Sequence, residues 1–448
     1  MSTPSTTQPP RPFYAEWFSR LVRFHHGEGE ALGLSWLYFF TLFFSYSIIK
    51  PLRDEMGVVG NVNKLPWMFT GTFAALLLTV PVYAWVVARF PRQRVIPLVY
   101  RFFVINLLIF YALFRLELFP VAAARAFFIW TSVYNLFVVS VFWSFMADLF
   151  AREQGKRLFG FIAAGGTTGQ ILGLGATALL AKPLGPVTLL LLSALFLEAS
   201  ARCVTRLARW AKSNGGSTQL PSGGTTPVGG GMLDGFLKLA RSPYLLGLGA
   251  QTLLYASTST LLYFIQMKIV SEAIKDSAER TSLFATIELG ISVLTLLLQT
   301  VVTGRLIQRL GLAAALGFVP ALTLFGFAGL AMASGLWLVI GFRWLRSSTH
   351  YALERPAREV LYTVVDAEEK YKSKSFIDTV VYRGSDAVSS WLAAGVSTLG
   401  LGLTGVALAA IPLAGAWFGV SLFLARRQEA HARQHRSPPE APAGVTVG

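Results

Sequence analysis

Apolar runs of about twenty residues recur along the chain, each closed by a short polar break. A helix of that length covers the roughly 30 Å of bilayer hydrocarbon, so the pattern predicts an all-α membrane protein. The amino-terminal spans are expected at about 31–52, 67–88, 95–115, 121–149, 158–181 and 186–206. The carboxy-terminal spans are expected at about 243–267, 281–303, 312–333, 335–364, 376–399 and 402–425. The fourth and tenth exceed what the hydrocarbon needs and are expected to project into water. Between the two sets, "SNGGSTQLPSGGTTPVGGG" (213–231) has no periodicity and reads as a flexible linker. The expected organisation is a cytoplasmic amino-terminal segment (1–30), a six-helix bundle (31–206), a cytoplasmic linker (207–242), a second six-helix bundle (243–425) and a cytoplasmic tail (426–448).

Composition supports the membrane class. Of 448 residues, 54% are hydrophobic and 14% charged, against about a quarter charged in soluble domains. The net charge of +16 raises the question of nucleic acid, but the basic residues lie between or inside apolar segments, and no solvated basic domain is present. They follow the positive-inside rule instead. "RFPRQR" (89–94), "REQGKR" (152–157), "RLIQRL" (305–310) and "KYKSK" (370–374) fall on one side if the amino terminus is inside. Both termini are therefore expected in the cytoplasm, with the protein spanning the inner (plasma) membrane. Cys203 is the single cysteine, so no intrachain disulfide or cysteine-built metal site is available. The amino terminus lacks the apolar core and small-residue cleavage site of a removable signal peptide.

Adding 218 to a position in the first half repeatedly meets a like residue in the second. Lys50 meets Lys268, Asp54 meets Glu272, Arg125 meets Arg343, Asp148 meets Asp366, Lys156 meets Lys374 and Gly166 meets Gly384. Several matches at one offset imply two structurally repeated halves. Parallel six-helix repeats are the design of major-facilitator transporters, which bind solute between the halves near the midplane. "ARFP" (88–91) and "GRLIQRLG" (304–311) are similar to that group's loops after the second and eighth helices; ordinary positive-inside loops explain them equally well.

The tenth segment carries the most informative chemistry. At about 100° per residue, Arg343, Arg346, His350, Glu354 and Arg358 fall within roughly 120° of one helix face and span on the order of 22 Å. Each charge at the bilayer centre costs about 2.5–3.5 kcal/mol, so the stripe must face protein or a watery cavity. Lys50, Arg53, Arg125 and Lys268 supply further cations, and an anionic solute is expected to bind among them. Snorkelling at the interface is the alternative for Lys50 and Arg53, and a structural pair at i, i+4 the alternative for Glu354 with Arg358. Pro51 is expected to kink the first helix. Tyr134 and Asn135, with Trp130, Gln251, Tyr255 and Tyr263, offer stacking and hydrogen bonds, or simple packing.

Asp54 and Glu288 are the candidates for proton or cation coupling, Glu288 being equally a partner for Arg343 or Lys268. Asp148, Lys156, Arg157, Asp366, Lys372 and Lys374 are expected to make and break cytoplasmic gate contacts. Glu198, Arg202 and Arg206 form a ladder spaced by four, read as structural. "GFIAAGGTTGQILGLG" (160–175) lacks a P-loop's Gly-Lys-Ser/Thr ending and is read as small-residue helix packing. With no catalytic constellation, enzymatic activity is not expected; nor are a cofactor, a resident metal or a nucleic-acid partner.

"REVLYTVVDAEEKYKSKSFID" (358–378), continuing to Arg383, and "KPLRD" (50–54) resemble the ATP:ADP antiporter (nucleotide translocase) family of the major-facilitator clan, in its divergent free-living bacterial form. The resemblance implies twelve helices and exchange or proton-driven import of nucleotides, with Lys50, Arg53, Lys268 and Arg358 on the phosphates. Arg355 and Val364 depart from the family pattern, which has an acid and a proline there. The expected function is a secondary transporter, acting as a monomer, that moves an anionic, phosphorylated metabolite by alternating access. A transporter-like scaffold or sensor without solute flux is the alternative.

Overall fold

The protein is described by a computed structural model covering residues 29–89, 92–150, 152–213 and 242–434. The expected amino-terminal segment up to residue 28, most of the linker and the end of the tail lie outside these residues. The first helices are α1 (Gly29–Val59), α2 (Leu65–Arg89), α3 (Arg92–Arg115), α4 (Pro120–Leu149), α5 (Arg152–Leu184) and α6 (Leu189–Ser213). There follow α7 (Pro243–Ala273), α8 (Ser277–Leu298) and α9 (Gly304–Met332), then α10 (Leu336–Thr349), α11 (Arg355–Leu361), α12 (Ala367–Phe376), α13 (Tyr382–Thr398) and α14 (Gly402–Gln434). Each apolar segment read from the sequence falls on helix. Among the described residues, nine helices are long and apolar enough to cross a membrane. α6 does not meet that standard, because Glu198, Arg202 and Arg206 interrupt its apolar run. The α10–α11 and α12–α13 stretches are broken into shorter pieces.

Those breaks have local causes. Pro356 has no N–H to donate and its ring crowds the carbonyl four residues back, so the helix widens into a π-helical turn over His350–Glu354. The Arg355 N–H reaches back to the His350 carbonyl. A second π-helical turn, Ile377–Val381, joins α12 to α13. In α9 the helix turns sharply at Gly311, whose φ of 77° suits glycine. α1, by contrast, runs continuously through Pro51.

The described residues group into two compact units: those in 29–50, 81–117 and 134–213, and those in 51–80, 118–133 and 242–434. The grouping cuts across the division at the linker, since parts of α1, α2 and α4 belong with the carboxy-terminal helices. α1 passes from one unit to the other at Lys50–Pro51 and α2 at Val80–Pro81.

In the first unit α5 lies against α1 along a seam of glycines. A Cβ on Gly165 would stand 2.6 Å from the Trp36 carbonyl oxygen, and one on Gly173 2.7 Å from that of Phe44. On Gly169 it would collide with the Phe40 carbonyl. The glycine-rich stretch is a helix-packing surface. α1 meets α6 through hydroxyl pairs, Thr41 with Ser200 and Ser45 with Ser193, each at 2.8 Å. Glu198 accepts from Arg202 at 3.1 Å and faces Arg101 of α3 at 3.5 Å, so the ladder ties α6 to α3.

The second unit packs α7 at its centre, where Leu261, Phe264 and Ile265 meet Phe327, Phe342 and Ala407 of α9, α10 and α14. Nearly every side chain of α7 from Gln251 to Val270 is buried or half-buried. Its polar residues therefore have to find partners inside the protein.

Candidate functional site

Two polar rungs of α7 organise the charged interior of the second unit. The Tyr263 hydroxyl donates to Asp54 Oδ1 at 2.8 Å, and the Thr260 hydroxyl to Asp386 Oδ1 at 2.8 Å. The rungs are one turn apart, so a carboxylate from α1 and one from α13 are held on the same face of α7. Both are buried, at 3% and 6% exposure. Arg53 NH1 stands 3.6 Å from Asp54, and Arg383 NH1 3.3 Å from Asp386. Arg343 of α10 donates to Glu288 of α8 at 2.9 Å. Three arginines (Arg53, Arg343, Arg383) thus sit with three carboxylates (Asp54, Glu288, Asp386).

The ion pairs differ in tightness. Charge-assisted N–H···O bonds run to about 2.7–2.9 Å. Arg343–Glu288 meets that standard, as does His350–Glu354 at 2.7 Å. So does Arg280–Glu55, with bonds of 2.8 and 2.6 Å. Arg53 and Arg383 do not. The Arg53 guanidinium lies 3.8 Å over the Phe128 ring, and its Nε reaches the Phe128 carbonyl only at 3.4 Å. These two arginines keep donors that an incoming group can use without breaking a strong pair.

The rest of the α10 stripe points inward as its face predicts, but its members are held. Arg346 is 2% exposed and donates to Thr323 at 3.0 Å, Ser259 at 3.0 Å, Thr258 at 2.9 Å and the Tyr255 carbonyl at 3.4 Å. The guanidinium is nearly saturated by neutral acceptors from α7 and α9, which makes it a structural cross-link in this state. His350 stacks on Tyr255 with ring centroids 3.8 Å apart, and Glu354 pairs with His350 rather than with Arg358. Arg358 instead reaches Thr252 at 3.1 Å and Asp378 at 3.4 Å.

The remaining residues singled out in the sequence fall elsewhere. Lys50 and Asn135 are half-buried in the first unit, and Tyr134 is fully buried there, 3.3 Å from the Ser45 hydroxyl. Arg125 donates to the Gly60 carbonyl at 2.9 Å and closes the turn after α1. Lys268 lines a cleft of about 410 Å³ with Asn61, Asn63, Ser271 and Glu272. Gln251 is buried with neither amide atom hydrogen-bonded. Of the gate residues, Lys374 pairs with Glu359 at 2.7 Å, while Asp148 and Asp366 are exposed and Arg157 and Lys372 half-buried; the Lys156 side chain lies outside the described residues.

Glu55, Arg280, Thr260 and Asp386 were not anticipated. For Glu55 the acidic doublet "DE" at 54–55 inside an apolar run was the available signal. For Asp386 it was a lone acid in the small-residue run "RGSDAVSS". Arg280 and Thr260 carry no comparable mark.

No protein-family model matches the chain, and no curated protein matches it in sequence. Solved structures do match in fold. A bacterial homologue of the iron transporter ferroportin, in its inward-facing state, aligns with a TM-score of 0.62 at 16% identity, over 88% of this chain and 98% of that one. The nucleoside transporter NupG aligns with a TM-score of 0.60 at 13% identity, over 90% and 99%. A POT family transporter in complex with 5-aminolevulinic acid aligns with a TM-score of 0.59 at 13% identity, over 90% and 96%. The chain is a multi-pass, all-helical membrane protein sharing the fold of these transporters.

Proposed function

We propose that this protein is a secondary transporter that moves an anionic, phosphorylated metabolite across the inner membrane by alternating access, as a monomer with both termini in the cytoplasm. Twelve membrane-crossing helices in two repeated halves would carry it, including the polar α6, α10–α11 and α12–α13 stretches that fall short of the apolar standard. The motifs at 50–54 and 358–378 favour a nucleotide-like solute. Fold likeness supports the transporter class; Arg53 supports the anion. Its side chain is 18% exposed, and its guanidinium is braced by Phe128 and 3.6 Å from the nearby carboxylate, so it can give a bidentate contact to a phosphate oxygen pair.

Labelled nucleotides and sugar phosphates offered to proteoliposomes test this reading. Arg53→Ala is expected to weaken binding about ten- to hundred-fold, the value of a charged hydrogen bond. Flux of none of these anions in the parent protein, or Arg53→Ala binding as the parent does, would overturn it.

The balance of three arginines against three carboxylates favours a second reading, a solute that also bears a cationic group and places it on Asp54 or Asp386. Including zwitterionic and cationic solutes in the panel separates the two. Preference for a zwitterion over a phosphate of similar size selects the second.

A further inference from the structure

We propose that Asp386 is a proton-coupling carboxylate of the transport cycle, protonated when Arg53 and Arg383 turn from the two aspartates to the solute anion. This inference rests on the anion reading above and adds the co-transported ion and the residue that holds it.

Asp386 accepts from Thr260 on α7 and from Arg383 on its own helix, at 2.8 and 3.3 Å. Tyr382 on α13 and Arg53 on α1 lie within electrostatic reach. Asp54, on the next rung of α7, faces Arg53 and Tyr263, with Arg343 and Glu288 further out. Arg53 therefore acts on both aspartates at once, and neither of them holds an arginine by a strong bond.

A buried carboxylate stays ionised only while a cation compensates it. An anion docking on Arg53 and Arg383 uses the positive charge that had balanced Asp54 and Asp386. Of the two, Asp386 has, among the described residues, the loosely held Arg53 and Arg383 around it, whereas Asp54 retains Arg343 nearby. A proton from water then adds to an Asp386 carboxylate oxygen, forming an O–H that the protein buries together with the solute. When the solute leaves on the other side, Arg53 and Arg383 return, the O–H ionises and the proton leaves to water there. One proton and one solute move together, and no other reactant is needed.

The test compares the parent protein with Asp386→Asn, using adenosine diphosphate, glucose 6-phosphate and inorganic phosphate as probes. In counterflow, with probe on both sides and no pH gradient, the exchange rate of Asp386→Asn is expected to lose the pH dependence that the parent shows. Driven by an inward proton gradient, it is expected to lose accumulation at least tenfold. On adding probe to unbuffered detergent-solubilised protein, the parent should take up about one more proton per bound anion than the variant; the probe's own titration cancels in the difference. Thr260→Val is the second variant should Asp386→Asn fold poorly. Without the hydroxyl donor the carboxylate is less favoured, so the pH profile of accumulation should move upward. Gradient-driven accumulation in Asp386→Asn equal to the parent's, or an unmoved profile in Thr260→Val, would overturn the inference while leaving the anion reading intact. A parent protein that exchanges none of the probes fails the anion reading itself, and the coupling role falls with it.

Discussion

Replacing Arg280 by alanine is expected to destabilise the protein by about 3–5 kcal/mol, the usual effect of removing one member of a buried ion pair. The Glu55 side chain is wholly buried and that of Arg280 is 10% exposed. Two parallel N–H···O bonds of 2.8 and 2.6 Å join them, the forked geometry that only arginine offers. NH1 of the same guanidinium donates to the Ile274 and Lys275 carbonyls at 3.1 and 2.7 Å, satisfying the backbone just past the end of α7. One side chain thus secures α1 to α8 and closes the α7–α8 connection. Arg280→Ala leaves the Glu55 carboxylate buried without its main partner and orphans two carbonyls. Arg280→Lys restores charge without the fork and should recover only part of the loss. Glu55→Gln with Arg280→Met removes both charges and should be more stable than Arg280→Ala alone, because the burial penalty of the lone carboxylate is gone. Thermal unfolding in detergent measures all three. A double variant no better than the single, or Arg280→Ala within about 1 kcal/mol of the parent, would show that the pair is not fastening these helices.

Gly169→Leu is expected to abolish recovery of folded protein. The clash at this position is with the backbone of α1, at the Phe40 carbonyl, and not with the tip of a side chain that can swing aside. Gly165 and Gly173 repeat the contact one turn to either side, against the Trp36 and Phe44 carbonyls. Accommodating a larger residue means parting α1 from α5 along several turns and giving up the close packing that holds helices together where lipid offers no hydrophobic drive. Gly175 is the internal control, since a Cβ there meets nothing within 4 Å. Gly175→Ala should be neutral or gain up to about 1 kcal/mol from helix propensity. The monodisperse yield on size exclusion, followed by thermal unfolding, gives the comparison. A Gly169→Leu protein recovered at parental yield and stability would mean that the seam tolerates separation.

The helices were legible because lipid imposes a length and a polarity on each of them. The expected span 121–149 became Pro120–Leu149, and 402–425 became the beginning of Gly402–Gln434. The inward face of the α10 stripe was equally legible, since charge cannot lie against hydrocarbon. Partnership was not. The sequence leaves Arg343 and Lys268 equally available to Glu288, and the ion pair of 2.9 Å is with Arg343. Spacing alone pairs Glu354 with Arg358 at i+4, yet the π-helical turn that Pro356 imposes leaves it bonded to His350. The stripe predicts Arg346 as a solute ligand, whereas hydroxyls of α7 and α9 occupy its guanidinium.

By itself the sequence determined what the bilayer enforces: that apolar stretches of helical length recur along the chain, and which face of a charged helix must turn from lipid. Both follow from one-dimensional spacing and the cost of placing charge in hydrocarbon. Its pattern predicts twelve spans, and among the described residues nine helices are long and apolar enough to cross a membrane. Only the tertiary structure decided which cation answers which anion. Glu55 and Arg280 are 225 residues apart, and Thr260 and Asp386 are 126 apart. Whether an arginine is locked, as Arg346 is, or left with donors to spare, as Arg53 is, depends on side chains from several helices meeting at distances of a few ångströms. Nothing in the local pattern carries that, because a hydrogen bond is a three-dimensional coincidence that periodicity does not encode.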